Sequence, residues 1–172
     1  MGGGTSGGST SSNDLALDDG GNAYITGSFQ GPTVNFGSLQ VGSGSLYPTV
    51  FVARLSATGQ YQWVVPGGGG IYDYGQGIAV DSLRNVYITG SFNSQFASFG
   101  PFRLANVNTS PARTYSDVFV AKLNTNGQCQ WAVRAGGLYD DQGRSIRVDG
   151  HGHVTDFYNS PLVVYINKCQ YI

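Results

Sequence analysis

Charge is what this sequence has least of. Only 11% of its 172 residues are charged and the formal net charge is −1, where an ordinary domain carries roughly 25% charged residues. No basic surface is available for nucleic acid or anionic lipid. No apolar run approaches the roughly 20 residues of a membrane-spanning helix, so membrane insertion is not expected. Methionine occurs once and cysteine twice, and Cys129 and Cys169 are too few to say more than that they pair or stay free. Residues 1–12 are rich in Gly, Ser and Thr, with neither a basic segment nor an apolar one. They read as a linker or the truncated end of a preceding repeat, not as a signal peptide.

What is abundant is glycine, 27 residues, with 11 tyrosines and 9 phenylalanines. Aromatic and β-branched residues suit pleated surfaces, and glycine suits tight turns. The chain also repeats itself. Leu15-Ala16-Leu17-Asp18, followed by Asn22 to Phe29, returns 63 residues later as Ile78-Ala79-Val80-Asp81 and Asn85 to Phe92. Phe51-Val52-Ala53-Arg54-Leu55 and Gln60 to Trp63 return 68 residues later as Phe119 to Leu123 and Gln128 to Trp131. Such self-similarity marks solenoids, arrays and propellers.

Each unit reads as four antiparallel strands joined by turns, and no segment keeps a helical period. The predicted organisation is repeat 1 over 13–75, repeat 2 over 76–142 and a partial, degenerate repeat 3 over 143–172. The strand 2–3 connection, containing Phe36-Gly37 and Phe99-Gly100, predicts an extra hairpin or ordered loop. The alternation in the last strand places Cys129, Trp131 and Val133 on one face. Tyr24, Phe29, Phe51, Trp63, Tyr87, Phe92, Phe119 and Trp131 are the expected repeat core, with the two tryptophans packing between blades rather than stacking on sugars.

The run Gly77 to Asp81, Asn85 to Gly90, Asp117 to Leu123 and Trp131 resembles the bacterial extracellular β-propeller repeats known as SBBP repeats. The resemblance implies an all-β fold of propeller-type blades, an extracellular or cell-surface setting and a structural or adhesive role without catalytic residues. Repeat 3 departs from it: His153 replaces the Asn, the Tyr is missing, and Asp156 stands where Gly27 and Gly90 do. About two and a half blades fall short of the four to eight that close a ring. A homo-oligomer or a larger propeller protein is therefore the expected partner.

Four features invite chemistry. The Asp18/Asn22, Asp81/Asn85 and Asp149/His153 pairs raise calcium, but they lack the alternating carboxylates of a calcium loop. The favoured reading is a hairpin turn in which Asp caps N–H groups and Asn or Gly takes the left-handed position, so no cofactor is expected. His151 and His153, near Asp149 and Asp156, allow a metal site on one strand face, though the flanking glycines favour a turn. Tyr72-Asp73 and Tyr139-Asp140, in matching Gly-Gly loops, are the candidate glycan site of a lectin; the competing reading makes the Asp a loop cap and the Tyr a lid. If Cys169 repeats the place of Cys129 in the next blade, blade spacing exceeds the Cα separation of about 7 Å that a disulfide allows.

Overall fold

The computed structural model describes residues 8–107, 109–110, 113–149, 153–158 and 164–166. The first sheet is built from β1 (Ser9–Leu17), β2 (Ala23–Gln30), β5 (Thr49–Leu55) and β6 (Tyr61–Gly67), in the order β1-β2-β5-β6. A hairpin of β3 (Val34–Phe36) and β4 (Leu39–Val41) is inserted between β2 and β5. The second sheet repeats the plan with β7 (Asp73–Val80), β8 (Val86–Phe92), β13 (Asp117–Leu123) and β14 (Cys129–Ala135). Its insertion holds the hairpin β9 (Phe96–Phe99) and β10 (Phe102–Ala105), then a second, short one of β11 (Thr109–Ser110) and β12 (Arg113–Thr114). A three-stranded sheet follows, β15 (Gly143–Val148), β16 (Val154–Tyr158) and β17 (Val164–Ile166). All pairings are antiparallel and no described residue is helical. These sheets are β-propeller blades.

Two predicted boundaries move. Ser9–Ser12 are not linker but the start of β1, paired with Gly27–Gln30. Repeat 2 starts at Asp73 rather than 76, because a β-bulge at Gln76 lets the first strand run on past Gly75 and Gly77. The same bulge recurs at Asn13 and Arg144 in the first strand of the other blades. The register of β16 corrects the alignment of repeat 3. Thr155 takes the Tyr24/Tyr87 position and Asp156, paired with Ile146, takes the Ile25/Ile88 position, leaving Tyr158 opposite Gly143 where a glycine pair stands in blade 2.

The core lies between blades. Tyr24, Val50, Val52 and Trp63 of blade 1 pack on Ile78, Ile88, Phe119 and Ala121 of blade 2. One blade later Tyr87, Val118, Val120 and Trp131 pack on Ile146 and Val154. Trp63 meets Tyr24 with ring centroids 6.3 Å apart, and Trp131 meets Tyr87 at the same 6.3 Å. Trp63 also donates its indole N–H across the interface to the Thr125 carbonyl at 3.0 Å. Phe99 of the β9–β10 hairpin stacks on Phe119 at 4.4 Å, and Gly68 and Ser98 exchange backbone hydrogen bonds. The hairpin so lies against the last strand of each blade, β9 on β6 and β10 on β14.

A bulge overturns the predicted face of Cys129. Lys122 pairs with Trp131 and Leu123 with Cys129, so Gln130 is the extra residue and alternation breaks there. Cys129 packs on the blade 1 side, with Ala132, while Trp131 and Val133 face blade 3. Burial pushes the Cys129 thiol up to about 11. A thiol held protonated is a poor nucleophile. Iodoacetamide at pH 8 is expected to leave the Cys129 peptide unmodified in the folded chain and to label it in urea, as read by mass spectrometry.

One flank of blade 1 differs from its counterpart. Leu15 is 51% exposed whereas Ile78, at the same place in blade 2, is 5% exposed. Ile25 is half-buried where Ile88 is buried, and Leu17 lies open beside it. In blade 2 this face is sealed by blade 1. In blade 1 none of the described residues seals it.

Candidate functional site

The two edges of the sheets carry different chemistry. At one edge lie the strand 1–2 and 3–4 turns. Asp18 accepts hydrogen bonds from Gly20 N–H (2.9 Å), Asn22 N–H (2.9 Å), the Asn22 amide and the Tyr24 hydroxyl (3.2 Å). Asp81 does the same with Leu83, Asn85 and Tyr87. His153 takes over the Asn role, its Nδ1 lying 2.7 Å from Asp149 Oδ2. His151 and Cys169 lie outside the described residues.

The left-handed position is held by Gly21 (φ +75°) and, in blade 2, by Arg84 (φ +62°), not by the Asn. Arg84 reaches back to Asp18 of blade 1 at 3.5 Å. The lone pairs a calcium ion would need are thus committed to protein donors and a cation. Burial raises the Asp81 carboxyl, but hydrogen bonds from Asn85 and Tyr87 outweigh it and hold the carboxyl below its ordinary 3.8; Asp18 is held down likewise. A carboxyl lowered in the folded state stabilises the fold above the unfolded value and loses that contribution as pH falls through the folded one. Asp81→Asn is therefore expected to flatten the acid limb of stability against pH, measured by urea melts from pH 7 down through pH 3.

The opposite edge carries the strand 4–1 and 2–3 connections and the candidate ligand loops. The structure separates the paired Tyr and Asp residues. Asp73 is fully buried. Its carboxylate accepts from Gly69 N–H (2.6 Å), Gly70 N–H (3.3 Å), Asn93 N–H (3.1 Å) and Ser94 N–H (3.3 Å). The Ser94 hydroxyl lies 2.9 Å from Asp73 Oδ2, and the Ile71 N–H donates to that hydroxyl at 2.9 Å. Burial pushes this carboxyl up against the pull of those hydrogen bonds. Asp73 is a clamp inside the loop and offers no lone pair to a ligand, which corrects the first candidate pair.

The second pair is corrected by one residue. Gly137 N–H donates to Asp141 at 2.7 Å, and Asp141 N–H to the Ser116 carbonyl, as Gly69 and Asp73 do with each other and with Pro48. Asp141, not Asp140, is the counterpart of Asp73. Asp140 instead accepts from the Ser116 N–H at 2.9 Å.

The tyrosines remain at the surface. Tyr72 is 47% and Tyr139 71% exposed. Each meets a tyrosine that the sequence reading passed over: Tyr72 meets Tyr47 with centroids 5.1 Å apart, and Tyr139 meets Tyr115 at 5.9 Å. Their signal was available, since Tyr47 and Tyr115 stand 68 residues apart like Trp63 and Trp131. Tyr72 has φ +39°, a strained value for a side chain of its size. Leu46, Ile71 and Leu138 are exposed on the same edge. Beside the first pair opens a groove bounded at this edge by Ser45, Tyr47, Gly68 to Ile71, Gln95 and Arg103; it runs inward between the blades past Val50, Val65, Phe99 and Leu123 to Gln128, about 1660 Å³ in all. Arg103 is its one charged lining residue among those described, and its guanidinium lies over Phe96 at 3.7 Å.

Comparison with known proteins points the same way as the fold. Residues 67–96 match the SBBP β-propeller repeat family. That segment runs from the end of β6 through the clamp loop, β7 and β8 to the start of β9. An uncharacterized WD repeat-containing protein of Acanthamoeba polyphaga mimivirus is 25% identical over 182 residues, covering 88% of this chain and 12% of that protein. The chain thus spans about 12% of the length of the curated relative it matches.

Proposed function

We propose, for a chain that carries SBBP-type β-propeller repeats, that it is a non-enzymatic structural or adhesive module of the cell exterior, completed by further blades. The carrying observation is the contrast between the two homologous flanks, Leu15 at 51% and Ile78 at 5% exposure. A face that one blade seals on blade 2 is the face a further blade fits on blade 1. Contiguous exposed apolar surface of this kind marks an interface. The extracellular setting rests on the likeness to SBBP repeats. The long relative, of which this chain matches a small part, supports a module within a larger assembly.

Light scattering after gel filtration tests this. The 172-residue chain is expected to self-associate through the open flank, and Leu15→Lys with Leu17→Lys to return it to a monomer with an unchanged circular dichroism spectrum. A folded, monodisperse monomer of the unsubstituted chain at all accessible concentrations contradicts it.

A further inference from the structure

We propose that the Tyr47–Tyr72 pair and the groove beside it bind a neutral oligosaccharide, and that Tyr115–Tyr139 is a second site of the same kind.

The pairs are built twice from different positions. Tyr47 and Tyr115 are counterparts, but Tyr72 corresponds to Asp140, and Tyr139 to Ile71. The two loops therefore supply the second ring from neighbouring positions, and both bring it to the same partner. A lid packed on its own blade would be buried, whereas these rings stay 47% and 71% exposed.

Tyr72 is also held in an unfavourable conformation, at φ +39°. A costly backbone conformation persists where the surroundings over-determine it, and such residues cluster at ligand sites. Here the surroundings are the Asp73 clamp, the Ser94 hydroxyl and the Ser45 hydroxyl, which donates to the Gly70 carbonyl at 2.9 Å. The loop is thus fixed before any ligand arrives, which lowers the ordering cost of binding.

The chemistry of the lining selects the ligand. Exposed aromatic faces take the C–H face of a sugar ring, while the glycine backbone, Ser45 and Gln95 can exchange hydrogen bonds with hydroxyl groups. Arg103, lying over Phe96, is the one charged side chain among the described lining residues, so the groove presents no cluster of charge for an anionic or cationic ligand. Two sites on one chain also allow a polymeric glycan to be held by avidity.

The test is an immobilised panel of neutral, sialylated and sulfated oligosaccharides, probed with the full chain, with Tyr139→Ala, which leaves only the Tyr47–Tyr72 site, and with the Tyr47 and Tyr72 variants below made in the Tyr139→Ala chain. Neutral glycans are expected to bind. Tyr47→Ala or Tyr72→Ala should weaken binding to them by about tenfold or more, the effect of removing a central aromatic contact, and Tyr72→Phe should retain it. Tyr72→Gly separates binding from folding: it removes the strained conformation, so thermal stability should hold or rise while glycan binding is lost. No binding across the panel, binding of the acidic members alone, or neutral-glycan binding indifferent to Tyr47 and Tyr72 would overturn the proposal. Self-association through Leu15 and Leu17 is measured separately and does not bear on this outcome.

Discussion

Asp73→Ala is expected to destabilise the chain by about 4 kcal/mol, the range seen when a buried hydrogen-bonded charge is removed from a network. Four backbone N–H groups and the Ser94 hydroxyl converge on this one side chain. Without it the buried Ser94 N–H and the partly buried Gly70 and Asn93 N–H groups lose their acceptor, and the loop loses the side chain that ties residues 69–70 to 93–94. Asp73→Asn keeps the shape and one carbonyl oxygen but turns an N–H₂ toward N–H donors. It is expected to cost about half as much. Urea unfolding followed by circular dichroism reads both. An unchanged midpoint in Asp73→Ala would mean that the clamp is not what holds the 69–73 loop.

Gly90→Ala should be comparably severe, at about 3 kcal/mol or more, for a different physical reason. A Cβ on Gly90 would run into the Tyr74 carbonyl oxygen and approach the Phe119 ring to 2.8 Å. The obstacle is backbone on one side and a buried ring on the other, so neither can swing away. Gly27 in blade 1 faces the Ser11 carbonyl in the same manner. Gly59 gives the contrast. Nothing lies within 4 Å of its missing Cβ, but its φ is +78°. Gly59→Ala is thus expected to cost only about 1 kcal/mol, the price of a left-handed conformation. Equal effects of the two substitutions on the urea midpoint would contradict the steric account of Gly90.

These two glycines explain why the Ile-Thr-Gly run could be read as a repeat at all. Ile88 faces blade 1, and Ile25 holds the equivalent position in blade 1, packed beside Phe51 and Ala53. Thr26 and Thr89 are buried, and their hydroxyls donate to the Phe51 and Phe119 carbonyls at 3.0 and 2.9 Å. The glycine makes room for the bulged first strand. Each position has one task set by its neighbours, so the sequence keeps a visible signature. The blade order, the inserted hairpins and the packing of Trp63 and Trp131 were legible for the same reason.

What was not legible was register. Bulges at Gln76 and Gln130 add one residue to a strand, and one residue reverses every side chain beyond it. That reversal put Cys129 on the face opposite to the one alternation predicts. In the 4–1 loops, the matched Gly-Gly-x-Tyr-Asp strings align cleanly, yet hydrogen bonding pairs Asp73 with Asp141. Only the donors that converge on a carboxylate, Gly69 in one loop and Gly137 in the other, identify which Asp is the clamp. Repeat 3 misled through its missing Tyr, because a gap placed before Thr155 and a substitution at Thr155 look alike in sequence. Pairing with β15 decides for the substitution.

The stacking of blade on blade is tested most directly by nuclear Overhauser contacts from the Trp63 indole. If blade 1 packs on blade 2, the indole ring, which lies 3.0 Å from where a Gly127 Cβ would be, should show strong cross-peaks to the Gly127 α-protons. Its N–H should exchange slowly behind the Thr125 carbonyl. An indole with contacts only inside blade 1 and a rapidly exchanging N–H would contradict the propeller arrangement of these repeats.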